Sequence, residues 1–364
     1  MEFKYEGQKY TIERYPSSNH KSLKAWSAVD EYFLNYLKEK NISFKNPIIY
    51  NDRFGFLTTI LAQFNPNIII NFKSQEKALY MNLKNHAIKP DSIIKSSPLQ
   101  KLEACYDLAL IKIPKSIELF RLQLNQLKQA INKNTIVICG FMTKYFSPQM
   151  LSVANDYFEQ CEQCKAWKKS RLLVLRKKRK VEQQEPINKI TYSKTKEFKQ
   201  YYGVFSAKKI DQASLFFTEY MEVRLGHNKI LDLGSGNGIL AYAALTIKPN
   251  AHIHLLDDSA LAIASSKMNL DPKKTSFHYN DSLNDFKNNT FDLIISNPPF
   301  HFGHETNIDI SIHLFKEVKR CLKKGGSFQL VTSNHLNLKT HLQKLFHRIT
   351  IIAQNDKFVI YNCN

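Results

Sequence analysis

Tryptophan occurs only twice in this chain of 364 residues, glycine 11 times and cysteine six times, and acidic residues are outnumbered 32 to 52 by lysine and arginine. Each shortage excludes something. No apolar run approaches the ~20 residues needed to cross a bilayer. The charged start Met1-Glu2-Phe3-Lys4-Tyr5-Glu6 has no signal-peptide core, so a soluble cytoplasmic protein is expected. Only Cys161 and Cys164 form a CxxC pair, and no second CxxC or histidine pair completes a four-ligand zinc site. Reduced structural thiols and no metal are the expectation. Of the few glycines, three crowd into five positions at Gly234, Gly236 and Gly238.

An apolar fraction of 43% supports full cores, and the length suits two domains of ordinary size. The positive charge is uneven. Residues 1–200 carry 34 Lys+Arg against 18 Asp+Glu, a net +16, whereas residues 201–364 carry 18 against 14, a net +4. An excess of that size in one half points to a polyanionic partner, most simply nucleic acid.

Residues 229–334 alternate apolar strands with amphipathic helical stretches. The strands are Lys229 to Leu233, His252 to Leu256, Ser276 to Tyr279, Phe291 to Ser296 and Ser327 to Thr332. That alternation predicts a parallel, doubly wound α/β sheet, closed by a hairpin around Gln354-Asn355-Asp356. The first half repeats the order. Pro47 to Gly55 parallels the first strand and its glycine turn, Asn67 to Phe72 the second strand, and Met81-Asn82-Leu83 recurs as Met268-Asn269-Leu270. Tyr106 to Lys115 lies over Phe291 to Phe300, with offsets of 183 to 187 residues throughout, so an internal duplication is expected. The copies differ where chemistry is expected. The first keeps only Gly55 of the three glycines and has Lys112 where the second has Asn297. The first copy is therefore expected to keep the fold, bind no cofactor and hold RNA. The boundaries expected are 1–180 for the degenerate domain, 181–200 for a linker and 201–364 for the catalytic domain. RNA contacts are expected from Lys112, from Trp167-Lys168-Lys169, and from the run Arg176-Lys177-Lys178-Arg179-Lys180.

The turn Asp232-x-Gly234-x-Gly236-x-Gly238 follows a strand and opens a helix, so the backbone can approach a ligand closely. It departs from the dinucleotide spacing GxGxxG, and its leading acid suits a ligand with a cationic amino-acid end. Those features favour S-adenosyl-L-methionine over NAD. Asp257, at the end of the next strand, is placed for ribose hydroxyls, and Asp281 for the adenine amino group, with Leu283 or Phe286 packing on the ring. Asp258-Ser259 is the alternative reading there, as a cap for the helix beginning near Ala260.

Asn297-Pro298-Pro299-Phe300 ends the fourth strand. A sulfonium methyl is already activated, so the protein must chiefly orient a weak nucleophile. An exocyclic amino group needs acceptors on its N–H bonds. The Asn297 oxygen and the Pro298 carbonyl suit that task, Pro299 stiffens the turn, and Phe300 can stack on a base. His301, Phe302 and His304 continue the loop and are candidates for the substrate entrance, although surface residues there are an ordinary alternative.

These segments, with Tyr202-Gly203-Val204-Phe205-Ser206, Asp211 and the closing Asn355-Asp356-Lys357-Phe358-Val359, resemble the bacterial ribosomal-RNA guanine-N2 methyltransferases. The resemblance is nearest to the branch acting on large-subunit (23S) RNA, with the small-subunit (16S) branch as sibling. It implies two tandem class I (Rossmann-like) methyltransferase folds, the N-terminal one degenerate. An amino group buried in a duplex is out of reach, so naked or partly assembled ribosomal RNA is the expected substrate, and a monomer the expected state. The resemblance also implies that Phe205, Ser206 and Asp211 lie near the methionine end of the cofactor. Ser235 departs from the cysteine common in that turn. Adenine-N6 methylation, protein glutamine methylation and a non-catalytic assembly factor are the alternatives. Intact glycines and Asn297 weigh against the last, and Phe300 with the basic first half against the second.

Overall fold

The computed structural model describes residues 1–17, 23–182, 185–298, 301–302, 305–306, 308–336 and 338–364, with backbone alone over those described between 301 and 313. The chain divides into two compact units, Met1–Pro186 and Ile187–Asn364.

The first unit begins with a hairpin, β1 (Glu2–Tyr5) and β2 (Gln8–Thr11), followed by α1 (Ala28–Glu39). Its main elements are β3 (Pro47–Tyr50), α2 (Phe56–Ile60), β4 (Asn67–Ile69), α3 (Lys73–Asn85), β5 (Ile94–Ser96), β6 (Tyr106–Lys112), α4 (Ile117–Leu127) and β7 (Ile131–Met142). Then come α5 (Pro148–Tyr157), β8 (Phe158–Gln163) and β9 (Ser170–Lys178). The sheet runs β5-β4-β3-β6-β7-β9-β8, with β9 antiparallel to both neighbours and the first five strands parallel.

The second unit repeats this plan. A hairpin of β10 (Ile187–Ser193) and β11 (Lys196–Tyr201) precedes α6 (Gln212–Tyr220), β12 (Lys229–Leu233), α7 (Ile239–Ile247), β13 (His252–Asp257), α8 (Ala260–Asn269), β14 (Thr275–Tyr279) and β15 (Phe291–Ser296). A two-residue pair, β16 (His301–Phe302) and β17 (Glu305–Thr306), leads to α9 (Ile308–Cys321), β18 (Leu322–Ser333), α10 (Lys339–Leu342), β19 (Ile349–Gln354) and β20 (Phe358–Cys363). Its sheet order is β14-β13-β12-β15-β18-β20-β19, the same permutation of strands. The chain is thus two tandem Rossmann-like folds.

The central strands are apolar on both faces because helices cover both. Ile230, Leu231, Leu293, Ile294 and Ile295 are fully buried, as are Ile48, Ile49, Leu108, Ala109, Leu110 and Ile111 in the first unit. One glycine per unit permits the close seat of a helix on its strand turn. A Cβ on Gly55 would come within 2.7 Å of Leu79, and one on Gly238 within 2.8 Å of Leu270; both glycines start a helix at positive φ, 74° and 85°.

Two boundaries differ from expectation. Residues 187–201 form the β10–β11 hairpin of the second unit, where a linker over 181–200 was expected. Ile190 and Phe198 sit in that unit's core, so burial of this hairpin's apolar face decides where the unit begins. Strand β9 also runs on to Lys178, so the first three residues of the basic run Arg176 to Lys180 are strand.

Candidate functional site

The second and fourth helices of each doubly wound unit leave opposite faces of the sheet, so a crevice opens where its first and fourth strands lie side by side. In the second unit these are β12 and β15, paired with Leu233 opposite Ser296. The glycine turn and Asn297 therefore follow at the carboxyl ends of adjacent strands. Ser296 Oγ donates to the Leu233 carbonyl at 2.7 Å and ties the two ends together.

Gly234, Gly236 and Gly238 all have positive φ, 72°, 55° and 85°. The amides of Gly234 and Ser235 donate to the Leu256 carbonyl, and Gly236 N donates to Asp257 Oδ2 at 2.9 Å. A Cβ on Gly236 would meet nothing within 4 Å. Gly238 thus serves packing, whereas Gly236 borders open space.

Asp232 is wholly buried. Its Oδ2 accepts from Ala241 N at 3.0 Å, and Oδ1 has no hydrogen-bond partner among the described residues. Burial pushes its carboxyl up to about 7, against the lowering effect of the Ala241 amide. Asp257 receives one backbone amide on each oxygen, Gly236 on Oδ2 and Ser259 on Oδ1, and burial raises it to about 6. The cap of α8 is Ser259, whose Oγ accepts from Ala262 N.

Asn297 faces the start of α6. Its Nδ2 donates to Asp211 Oδ2 at 3.0 Å and to Ser214 Oγ at 2.9 Å. Asp211 caps that helix, accepting from Ser214 N at 2.9 Å. Pro298 is buried. Pro299, Phe300 and His304 lie outside the described residues, and only backbone is described for His301 and Phe302. Phe205 is 73% exposed, on a loop that passes through Gly203 and Ser206 at positive φ.

Asp281 follows β14, its amide donating to Asn280 Oδ1, while Asn280 Nδ2 donates to Asp285. Of the two side chains expected against an adenine ring, Leu283 is fully buried in the core. Phe286 packs edge-on against His254, His278 and Phe291.

Two residues that the sequence reading passed over hold the site together. Gln200 is fully buried; its Nε2 donates to the carbonyls of Val204, Phe205 and Ser206, and its Oε1 accepts from Asn237 Nδ2 at 2.8 Å. It joins the exposed loop to the glycine turn. Asn269 binds both backbone groups of Lys199 at 2.8 Å and the Asn237 carbonyl at 2.9 Å. The repeated Met-Asn-Leu triplet carried a signal for Asn269, but nothing local marks Gln200.

In the first unit the same positions are filled differently. Asn51 takes positive φ, 61°, where the second unit has Gly234, and Arg53 stands where it has Gly236, its guanidinium 5.2 Å from the Phe72 ring. The Thr58 amide is capped from within the turn, by Asp52 Oδ2 at 2.8 Å. Lys112, expected to contact RNA, instead forms an ion pair with Asp30 at 2.9 Å, and Asp30 is wholly buried. Burial disfavours the Lys112 ammonium, but Asp30 and Asp52 together outweigh it and hold the group above the ordinary lysine range. Its charge is spent inside the unit.

The other basic positions divide. Trp167 is half-buried against Tyr32, ring centroids 5.6 Å apart, and Lys168 pairs with Glu31 while lying over Trp167. Lys178 Nζ donates to the Ile131 and Lys128 carbonyls, and Arg179 Nε to those of Asn155 and Phe158. These groups brace the β8–β9 edge. Lys169, Arg176, Lys177 and Lys180 are exposed. Among the described residues no cluster of His, Cys, Asp or Glu could hold a metal, and no helix is long and apolar enough to cross a membrane.

The family described as RLMG N-terminal domain matches residues 1–180, and the Methyltransferase small domain matches residues 195–362. A ribosomal RNA large subunit methyltransferase G of Colwellia psychrerythraea is 32% identical over 96% of this chain and 95% of that protein. Its counterpart from Klebsiella pneumoniae is 31% identical over 97% and 96%. A solved structure, the T. thermophilus 16S rRNA N2 methyltransferase in complex with AdoMet and guanosine, superposes with a TM-score of 0.77 over 100% of this chain and 97% of that one, at 18% identity, a likeness of fold. With such identity sustained along nearly its whole length, the chain belongs to the ribosomal RNA large subunit methyltransferase G family.

Proposed function

We propose that the second unit transfers a methyl group from S-adenosyl-L-methionine to the exocyclic N2 amino group of a guanine in 23S ribosomal RNA. The observation that carries this reading is the adjacency of two features across β12 and β15: a glycine turn beside a buried carboxylate with one unpartnered oxygen, and the Asn297 amide.

The residues present fit that cofactor. Asp232 Oδ1 is a buried acceptor suited to its cationic amino-acid end, Gly236 leaves room for close approach, and Asp257 keeps a second lone pair on each oxygen for ribose hydroxyls. Phe205, Asp211, Gly234, Gly238 and Asp281 complete the assigned set. Bound there, S-adenosyl-L-methionine supplies an activated methyl. The protein's task is to hold the acceptor nitrogen in line, which orientation alone makes efficient. Asn297 Oδ1 and the Pro298 carbonyl accept the two amino protons, so the nitrogen lone pair turns towards the methyl. The same two dipoles stabilise positive charge as it develops on nitrogen. Pro299 and Phe300 are assigned to stiffening the turn and stacking on the base.

The first unit is assigned RNA binding without a cofactor, with exposed Lys169, Arg176, Lys177 and Lys180 as contacts beside Trp167, Lys168, Lys178 and Arg179. A monomer working in the cytoplasm on naked or partly assembled RNA, where a guanine can be splayed out, completes the reading. Mass spectrometry of ribosomal-RNA digests from cells with and without the gene tests it. An N2-methylguanine should vanish from 23S RNA without the gene and return when purified protein is added. Loss of a different nucleotide, or of none, contradicts it.

A further inference from the structure

The Asn297 amide has one end that cannot turn. A carboxylate at neutral pH accepts and never donates, so the atom facing Asp211 Oδ2 at 3.0 Å must be nitrogen. That nitrogen carries two protons, and its contacts to Asp211 and Ser214 Oγ engage both. Turning the amide over would set Asn297 Oδ1 against Asp211 Oδ2 and forfeit that bond, whereas the Ser214 hydroxyl can donate as well as accept, so Asp211 sets the orientation and Ser214 holds it. Asp211 is itself held, because its Oδ2 also accepts from Ser214 N. The end of Asn297 that remains for a ligand is Oδ1, which only accepts.

The first unit supplies an independent comparison. There the helix preceding the first sheet strand, α1, starts with Ser27 as cap and Asp30 three positions later. In α6 the same two residue types stand in reverse order, Asp211 as cap and Ser214 three positions later. In both units the aspartate of this pair receives a donor from the end of the fourth strand, Lys112 on Asp30 in one and Asn297 on Asp211 in the other, and Asn297 alone also reaches the serine. Only Asn297 has an acceptor on its far side. The helix start is a fixed anchor for that strand end, and the residue anchored decides what the crevice presents.

We propose that Asp211 and Ser214 are positioning residues that lock the Asn297 amide with its oxygen towards the substrate, so that the site takes an amino group as hydrogen-bond donor. This rests on the reading of Asn297 as the acceptor for that group. Ser214 is the cleaner probe, because its side chain engages Asn297 while its amide keeps the helix capped whatever the side chain is.

The test uses the full chain with asparagine side chains labelled by nitrogen-15, as wild type, Ser214→Ala, Ser214→Thr and Asp211→Asn. Hydrogen exchange of the Asn297 Nδ2 protons is read by NMR, assigned with Asn297→Asp, and needs no substrate. Single-turnover methylation of naked ribosomal RNA from cells lacking the gene is read at saturating cofactor. Ser214→Ala should speed exchange of one Nδ2 proton and lower the rate about fivefold, the worth of one neutral hydrogen bond, with cofactor Kd unchanged. Ser214→Thr should restore both. Asp211→Asn lets either amide turn and should cost about tenfold or more in kcat with little change in KM for RNA. Unchanged exchange in Ser214→Ala, failure of threonine to restore the rate, or a loss confined to cofactor Kd overturns the proposal. A protected amide in a wild-type protein that methylates no RNA supports the lock and overturns the functional reading instead.

Discussion

Asn82 and Asn269 stand at the same place in the two units and make the same four hydrogen-bond contacts. Asn82 accepts from Glu13 N and donates to the carbonyls of Glu13, Phe54 and Ala78, at 2.8–3.1 Å. Asn269 accepts from Lys199 N and donates to those of Lys199, Asn237 and Ser265, at 2.8–3.0 Å. Each asparagine fastens an N-terminal hairpin, at Glu13 just beyond β2 in one unit and at Lys199 within β11 in the other, to the turn after the first sheet strand. The duplicated element therefore includes the hairpin, which is why the second unit starts at Ile187.

Replacing either asparagine by alanine leaves backbone groups without partners, part-buried around Asn82 and more exposed around Asn269, at a cost of about 1–3 kcal/mol for Asn82 and towards the lower end for Asn269. Urea unfolding should show that loss for both variants. Calorimetry should separate them. Asn269→Ala should weaken cofactor binding, because Asn269 holds Asn237 within the glycine turn, and Asn82→Ala should not. Equal effects on the cofactor would contradict the division of labour.

Lys112→Met leaves Asp30 and Asp52 without their cation inside the first unit. Breaking a buried pair from one side costs about 3–5 kcal/mol, and Asp30→Asn in the same chain should recover part of it. The dependence of RNA affinity on salt should keep its slope, because this ammonium faces Asp30 and not phosphate. A slope smaller by about one in folded Lys112→Met would return the residue to the RNA surface.

How far the sequence could be read follows from the range of each interaction. Strand runs such as Phe291 to Ser296 and the turn at Gly234 to Gly238 advertise themselves, because apolar runs and glycine spacing are local. The fate of Lys112 was not local: a lysine ending an apolar strand looks exposed until Asp30, 82 residues away, is found beside it. Gln200 was lost in a presumed linker for the same reason, since its partners Phe205 and Asn237 come together only when the hairpin folds onto the unit. Among the basic run, exposed throughout, chain direction could not tell Lys178 and Arg179, which reach back to carbonyls, from Arg176 and Lys177.

Asp232 makes cofactor affinity depend on pH. Its folded carboxyl, raised to about 7 by burial, must ionise to meet a cationic group. Kd for S-adenosyl-L-methionine should therefore tighten as pH rises from 6 to 8, by about tenfold, and Asp232→Asn should abolish the trend. The same shift has the opposite sign for stability. The folded chain keeps a proton that the unfolded chain releases near 4, so this group's contribution to stability falls as pH rises from about 4 to 7. Cofactor-free Asp232→Asn should consequently melt higher than wild type at pH 8.

Asn297→Ala removes the acceptor for the amino group and leaves Asp232, Asp257 and the glycine turn in place. Methyl transfer should fall by at least about a hundredfold while cofactor Kd changes by less than about twofold. Equal loss of both would show that Asn297 serves the cofactor instead.

Which unit takes the methyl donor decides the proposed division of labour. Calorimetric titration of the full chain with S-adenosyl-L-methionine should give one site per chain, removed by Asp257→Ala and untouched by Lys112→Met in folded protein. Two sites, or one that survives Asp257→Ala, would contradict it.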